Sequence, residues 1–137
     1  MALMVSISGI RGVVGSTLTP DVIIRYVAGF GSYCRSRSTG PVTVVVGRDG
    51  RITGAAITDM ITSALTMSGI HVMDIGICPT PTVQLAVEHE HAAGGIAITA
   101  SHNPMQWNGM KFMASTGLFL DGAENAEFWK HAGQPQA

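Results

Sequence analysis

The residues most able to do chemistry lie in the segment at residues 95–111, where polar side chains follow a short apolar run. Residues 95–98 (GIAI) have the length and content of a buried strand. Ser101, His102 and Asn103 come directly afterwards, and the Asn-Pro dipeptide that ends this group is typical of a turn. We therefore expect Ser101 on the first exposed turn after a core strand, the position at which α/β sheets bind ligands.

Three kinds of chemistry are considered for the Ser101 hydroxyl. A serine hydrolase is disfavoured because adjacent residues in a turn rarely act as nucleophile and base, and no Gly-x-Ser-x-Gly elbow surrounds Ser101. A metal site made of protein side chains alone is disfavoured because this turn offers one good ligand. A phosphate site is favoured, since cations and donors accompany the hydroxyl. These are Arg11, Arg48, Arg51, His102, Asn103 and Lys111. In such surroundings the hydroxyl is a candidate phosphoryl carrier.

The composition bounds the class of protein. At 137 residues the chain has the length of one domain, with 46% hydrophobic and 12% charged residues. This charged fraction is below the usual value of about 25%, which predicts that further domains or a partner cover part of the surface. The formal net charge of −1 gives no electrostatic surface for nucleic acid or an anionic membrane. No apolar run could span a bilayer and no signal peptide is recognisable, so a cytoplasmic location is predicted.

The cysteines and the histidine pair have ordinary interpretations. Cys34 and Cys78 are too few and too far apart for a disulfide framework or a zinc site, which favours two reduced thiols. His89 and His91 are two residues apart at a predicted helix end, so their side chains diverge. We interpret them as part of a solvated polar face rather than as metal ligands.

Strand and helix patterns alternate along the chain and predict a three-layer α/β/α domain with a mixed, mostly parallel sheet. Thr19 and Thr80 are the expected N-caps of the first and third helices. The predicted strands cover residues 5–10, 42–46, 72–77, 95–98 and 110–114, with a short partner at 118–120. The first two helices cover about 20–35 and 53–67, a third follows Thr80 and ends near the histidine pair, and a fourth covers 123–131, before a tail at 133–137. The loops at 47–51, 78–81 and 101–104 should then meet at one edge of the sheet. The turn bearing Arg11 joins them if its strand runs the same way.

Three motifs carry a resemblance to a known family. TASHNP at residues 99–104 with NGMK at 108–111 resembles the active-site loop of the α-D-phosphohexomutases, the phosphoglucomutase/phosphomannomutase superfamily. SGIRG at 8–12 and GRDGR at 47–51 are similar to two other motifs of that family, in the same order. The resemblance covers residues 1–137 as a single domain and corresponds to the first of four domains in proteins roughly three times this length.

The resemblance implies a reaction and roles for individual residues. Ser101 would be carried as phosphoserine, donate its phosphoryl group to a hexose monophosphate and regain phosphate from the resulting bisphosphate, which interconverts 1- and 6-phosphates. Arg11 and Lys111 would flank the reacting hydroxyl and bind phosphate, with Lys111 as the proton-transfer group because an arginine stays charged. His102 would hydrogen-bond the phosphate. Asn103 would shape the loop and contribute to phosphate binding.

The resemblance also implies partners outside this chain. Mg²⁺ would be held by the phosphate on Ser101 and by three aspartates of an Asp-Gly-Asp-Gly-Asp-type loop, which this sequence lacks. The expected partners are a hexose phosphate, a glucose 1,6-bisphosphate-type activator and the remaining domains of the same polypeptide. Without them the chain alone should be inactive, and the sequence does not distinguish glucose, mannose and glucosamine phosphates.

Two points are left open at this stage. A non-catalytic phosphate- or phosphosugar-binding module is the alternative function for the same residues. Arg48 and Arg51 are expected to pair with Asp49 and brace the neighbouring loop rather than contact phosphate.

Overall fold

The computed structural model describes residues 2–133 and contains six strands and four helices. The strands are β1 (Met4–Ser6), β2 (Gly9–Val13), β3 (Thr43–Arg48), β4 (His71–Ile77), β5 (Gly94–Ile98) and β6 (Trp107–Ala114). The helices are α1 (Pro20–Ser36), α2 (Gly54–Met67), α3 (Thr80–His89) and α4 (Gly122–His131). The predicted tail beyond residue 133 lies outside the described residues.

The six strands form one mixed sheet in the order β1-β2-β6-β5-β3-β4. Strand β3 pairs in parallel with β4 and β5, whereas the other neighbouring pairs are antiparallel. Because β6 is antiparallel to both of its neighbours, β2 runs in the same direction as β3, β4 and β5. The predicted mixed sheet is confirmed, and most strands share one direction. Parallel neighbours are nevertheless the minority, since β6 lies between β2 and β5.

Helices cover both faces of the sheet, which confirms the three-layer architecture. Helices α1, α2 and α4 cover the larger core, in which the rings of Phe30, Phe112 and Phe128 lie 4.6–5.5 Å apart. Helix α3 covers the other face through Val83 and Val87. Among the described residues, no helix is both long and apolar enough to cross a membrane. Both cysteines are free thiols.

The N-terminal strand differs from the prediction. Residues 5–10 do not form one strand; β1 and β2 make a hairpin with its turn at residues 7–8, and Arg11 lies within β2. Gly9 allows this geometry because its φ is +112° and a side chain there would lie 2.1 Å from the carbonyl oxygen of Met110. Arg11 is therefore held on a paired strand instead of in the predicted glycine turn.

The two predicted threonine caps have different outcomes: Thr19 is confirmed as an N-cap and Thr80 is not. Thr19 occupies the N-cap of α1, but its hydroxyl donates to the Asp21 carboxylate at 2.5 Å and not to the helix backbone. This hydrogen bond lowers the pKa of Asp21. Thr80 is the first residue of α3, and Pro79 takes the cap position. Neither helix has a side-chain cap hydrogen bond. Prolines fix the backbone at both starts, since Pro20 follows the cap of α1 and Pro79 is the cap of α3.

Candidate active site

The loops that follow β3, β4 and β5 meet at one edge of the sheet, as predicted. The Asp49 amide donates to the Ile98 carbonyl at 3.0 Å, and the Cys78 amide donates to the Arg48 carbonyl at 2.9 Å. On the other side of β5, the Thr99 amide donates to Gly109 at 3.0 Å. These hydrogen bonds continue the sheet beyond the strand ends, so the loops start from fixed positions.

Ser101 lies on a tight turn at this edge and is exposed to solvent. The turn closes through the Asn103 amide, which donates to the Ala100 carbonyl at 3.1 Å. Thr99 Oγ1 accepts a hydrogen bond from the Ser101 amide at 3.0 Å. The φ of Ser101 is +55°, in the left-handed region that serine seldom adopts. The hydroxyl is therefore presented to solvent by a backbone conformation that its surroundings must enforce.

Lys111 supplies the cation nearest to this hydroxyl. It lies on β6 opposite Ala97 of β5, and its Nζ donates to Ser101 Oγ at 3.1 Å. Nζ also lies 5.8 Å from the ring centroid of Phe119. Lys111, Phe119, Ile7 and Ser8 line a hollow of about 200 Å³ beside the hydroxyl. An ammonium group and a hydroxyl in contact can exchange a proton and can together face an anionic group.

Arg11 reaches the same turn from the neighbouring strand. It lies opposite Gly109 in the β2–β6 pair, and its Nη1 donates to Asn103 Oδ1 at 3.1 Å. A guanidinium has five N–H donors, so further donors are available for an anion. The structure thus brings Arg11 to Asn103, on the turn that carries Ser101.

His102 is exposed on the turn, and its ring has no hydrogen-bond partner among residues 2–133. The ring is therefore free to meet a group that approaches from solvent. Its role in phosphate binding stays a prediction.

The two arginines of residues 47–51 behave differently. Arg51 Nε lies 3.4 Å from Asp49 Oδ2, which is the predicted pairing. The Arg51 guanidinium also donates to backbone carbonyls of the turn that carries Ser101. Arg48 forms no ion pair with Asp49 in the described part of the chain; its side chain lies over Gly54 at the start of α2. The prediction that both pair with Asp49 is therefore wrong for Arg48, because its strand position directs it to the helix.

Sequence reasoning missed three residues that support the site. Thr99 holds the Ser101 amide, and a hydroxyl two residues before a turn residue is a signal that could have indicated it. Asn108 is fully buried and donates to Thr53 Oγ1 at 2.9 Å, which ties β6 to the start of α2. Phe119 reaches Lys111 because it bridges to Met113, which agrees with the short partner predicted at 118–120, although its contact with Lys111 was not predicted.

The described residues contain no cluster of three or more histidine, cysteine or carboxylate groups able to hold a metal ion. Asp49, the carboxylate of the neighbouring loop, is already paired with Arg51. His89 and His91 are exposed at the end of α3, in agreement with the predicted polar face. The side chains around Ser101 therefore fit an anion and do not by themselves fit Mg²⁺.

A larger open groove of about 760 Å³ lies between β4 and α3 and is lined in part by Met73, Leu85 and His89. None of its lining residues belongs to the Ser101 turn or to its cations. Volume alone therefore does not identify the functional edge, which is identified by the contacts of Ser101.

Comparison with known proteins gives consistent matches. The profile of the family described as "Phosphoglucomutase/phosphomannomutase, alpha/beta/alpha domain I" matches residues 3–135. The chain is 39% identical over 112 residues to a phosphoglucomutase/phosphomannomutase of Thermococcus kodakarensis, covering 82% of this chain and 25% of that protein. It is 40% identical over 120 residues to a phosphoglucosamine mutase of Macrococcus caseolyticus, covering 87% of this chain and 27% of that protein.

The fold matches as well. The crystal structure of a candidate phosphomannomutase from Thermus thermophilus aligns with a TM-score of 0.87 and 33% identity, over 95% of this chain and 30% of that one. The chain spans about a quarter of the length of the curated relatives.

Proposed function

This chain belongs to the phosphoglucomutase/phosphomannomutase family, through its α/β/α domain I, and from that membership we propose that it is the phosphoserine-bearing domain of a phosphohexomutase. The observation that carries the proposal is the contact between Ser101 Oγ and Lys111 Nζ at 3.1 Å on an exposed turn. Arg11 and His102 stand on or beside the same turn; Arg11 adds positive charge and N–H donors for a phosphoryl group, and His102 adds a ring N–H donor.

The reaction that we propose consists of two phosphoryl transfers. In the first, the bond between phosphorus and Ser101 Oγ breaks as a bond forms between phosphorus and a hydroxyl oxygen of a hexose monophosphate. The sugar hydroxyl loses its proton and Ser101 ends as a hydroxyl, so one proton is passed on in the transfer. In the second, the bisphosphate returns its other phosphate to Ser101, and the net change is interconversion of the 1- and 6-phosphates.

We assign the proton and the charge balance to separate groups. Lys111 gives a proton to the leaving Oγ and takes up the proton that the sugar hydroxyl releases, because its Nζ already contacts Oγ. In the second transfer Lys111 takes the proton of the Ser101 hydroxyl and gives one to the sugar oxygen that leaves. Arg11 and His102 bind the phosphoryl oxygens, and Asn103, held by Arg11, keeps the turn in place. Phosphoryl transfer depends mainly on positioning and charge neutralisation, which suits a site of this composition.

The metal and the sugar site require residues beyond those around Ser101. The phosphate on Ser101 is the ligand that this turn would offer to Mg²⁺, and we propose that carboxylates elsewhere in the same polypeptide supply the others. When bound, the metal would neutralise charge on the transferring phosphoryl group. The length of the curated relatives supports this assignment, since the chain spans about a quarter of it. We accordingly expect the chain alone not to complete the interconversion.

Intact-mass measurement tests the proposal. The chain is incubated with glucose 1,6-bisphosphate and Mg²⁺, and we expect the mass of one phosphoryl group to be added at Ser101. Ser101→Ala should gain none, whereas Ser63→Ala, at a serine of α2 remote from the turn, should match the wild type. Equal phosphorylation of the Ser101→Ala variant would contradict the proposal.

The alternative is a non-catalytic phosphosugar-binding module. It is favoured by the donors of the half-buried Arg11 and the exposed His102, since these could bind phosphate without any reaction at Ser101. Calorimetric titration with glucose 1-phosphate distinguishes the two functions. A binding module would give equal affinity for the wild type and Ser101→Ala, with no phosphate gained by either from the bisphosphate. A phosphoryl carrier would give covalent phosphate in the wild type alone.

A further inference from the structure

Arg51 is the most buried cation near the site, with 7% of its surface exposed. Its guanidinium donates to four backbone carbonyls of the segment at residues 101–107. Nη1 donates to Pro104 at 2.7 Å and Trp107 at 2.9 Å, and Nη2 donates to Ser101 at 3.0 Å and Asn103 at 2.7 Å. The segment is thus folded around one cation. Arg51 therefore does more than brace its own loop at residues 47–51, since it also holds the backbone of the turn that carries Ser101.

These contacts act on the peptide groups on both sides of Ser101. The peptide group before it is fixed because Thr99 Oγ1 holds the Ser101 amide and the Ala100 carbonyl accepts from Asn103. The peptide group after it is fixed because its carbonyl accepts from Arg51 Nη2. With both peptide planes held, the backbone angles between them are determined, and φ is the observed +55°.

Asp49 holds the guanidinium in the orientation that these four contacts need. Its Oδ2 lies 3.4 Å from Arg51 Nε, and its Oδ1 accepts from the Arg51 amide at 3.1 Å. Arg51 Nε is buried and makes no hydrogen bond, so Asp49 acts on the planar guanidinium as the charged partner of an ion pair. Because the five N–H groups lie in one plane, attraction of the Nε side toward Asp49 turns both Nη groups toward the carbonyls.

We propose that Arg51, oriented by Asp49, is a positioning residue that holds Ser101 in the left-handed conformation and thereby sets its hydroxyl against Lys111. The inference rests on the proposed function only in that the hydroxyl so positioned is the phosphoryl carrier. The conformational part concerns the unphosphorylated chain and is measured without any phosphate donor.

NMR of the unphosphorylated chain tests the conformation directly. In the wild type, the Ser101 ¹³Cα and ¹³Cβ shifts and the coupling between its amide and α protons should report a positive φ. Arg51→Lys keeps the charge but concentrates its donors on one atom, so it cannot reach four carbonyls. We expect these Ser101 signals to move to values for negative φ in Arg51→Lys, and to stay unchanged in the surface control Arg25→Lys.

A double-mutant cycle measured by thermal unfolding gives an independent test. Ser101→Gly relieves left-handed strain and should raise the Tm of the wild type by about 3 °C. In the Arg51→Lys background the same change should give no rise, because the strain is no longer imposed. An equal rise in both backgrounds, or a positive φ retained in Arg51→Lys, would overturn the proposal.

A second variant covers the case in which Arg51→Lys does not fold. Asp49→Asn leaves the guanidinium in place but loosens its orientation, so the Ser101 signals should move part of the way in the same direction. Unchanged Ser101 signals in Asp49→Asn would also overturn the proposal. Failure of the proposed function would give a different result. Ser101 would then accept no phosphate, but its positive φ would still depend on Arg51 and Asp49.

Discussion

Gly109→Ala is expected to disturb both the stability of the domain and the position of Arg11. Gly109 lies opposite Arg11 in the antiparallel β2–β6 pair. A Cβ at position 109 would lie 2.3 Å from the Ile10 carbonyl oxygen and 2.7 Å from Arg11 Cγ. The first of these neighbours is backbone in the middle of a sheet, so it cannot move aside without separating the two strands.

The expected cost follows from these contacts. Overpacking against fixed atoms usually destabilises a domain by about 1–3 kcal/mol, and we take about 2 kcal/mol for this contact. Displacement of Arg11 also removes its hydrogen bond to Asn103, which adds about 1 kcal/mol. We therefore expect a loss of about 3 kcal/mol in the free energy of unfolding. For a domain of this size that corresponds to a fall in Tm of roughly 10 °C.

Thermal and urea unfolding followed by circular dichroism measure this loss. Gly40→Ala is the matched control, because a Cβ at Gly40 meets no atom within 4 Å and its φ is ordinary. The control should stay within about 0.5 kcal/mol of the wild type. If the Tm of Gly109→Ala lies within about 2 °C of that of Gly40→Ala, the inference that β2 and β6 approach too closely at Gly109 to admit a Cβ is refuted.

Three further outcomes are expected. Lys111→Gln should slow phosphorylation of the chain by about 100-fold in an intact-mass time course, because the proton-transfer group is lost, whereas Lys130→Gln on α4 should have no effect; equal rates would remove the assigned role. Burial raises the pKa of the Cys34 thiol to about 12. Between about pH 9 and pH 12 the thiol ionises in the unfolded chain but stays protonated in the folded chain, so its contribution to stability is full below about pH 9 and is lost as the pH rises toward 12. Cys34→Ala should flatten this part of the pH–stability curve measured by urea unfolding, and an unchanged slope would contradict the assignment. Asp121→Ala removes the side chain that accepts from the Glu124 amide at 2.8 Å in the capping box of α4, and should cost about 1 kcal/mol in the same assay; no loss would show that the cap is dispensable.

Most elements of the fold followed from patterns in the sequence. The helix at 20–35 was predicted because apolar side chains recur at helical spacing after Pro20, and α1 ends one residue later. The strands β3 and β5 were predicted because continuous apolar runs are typical of strands buried on both faces, and both are central in the sheet. Buried, strongly periodic elements are predictable because few alternatives bury the same side chains.

The N-terminal hairpin could not be predicted in the same way. Residues 5–10 alternate only weakly, and the turn residues Ile7 and Ser8 are followed by Gly9, whose positive φ the sequence does not reveal. The pairing of β2 with β6 decides the conformation there, and these strands are distant in sequence. Because long-range pairing overrides a weak local pattern, Arg11 lies on a strand and not in a turn.

The sequence by itself determined the identity of the reactive turn, since Ser101 follows a buried strand and precedes an Asn-Pro turn, and three ordered motifs carried the family resemblance. It also indicated that Lys111 belongs to the same site. Only the tertiary structure decided that Ser101 is left-handed, that its hydroxyl meets Lys111 at 3.1 Å, and that Arg51 holds the turn by four carbonyls. Local side-chain chemistry can be read from residue types, whereas a backbone carbonyl has the same chemistry at every position. Which carbonyls converge on a cation is therefore settled only when the chain folds.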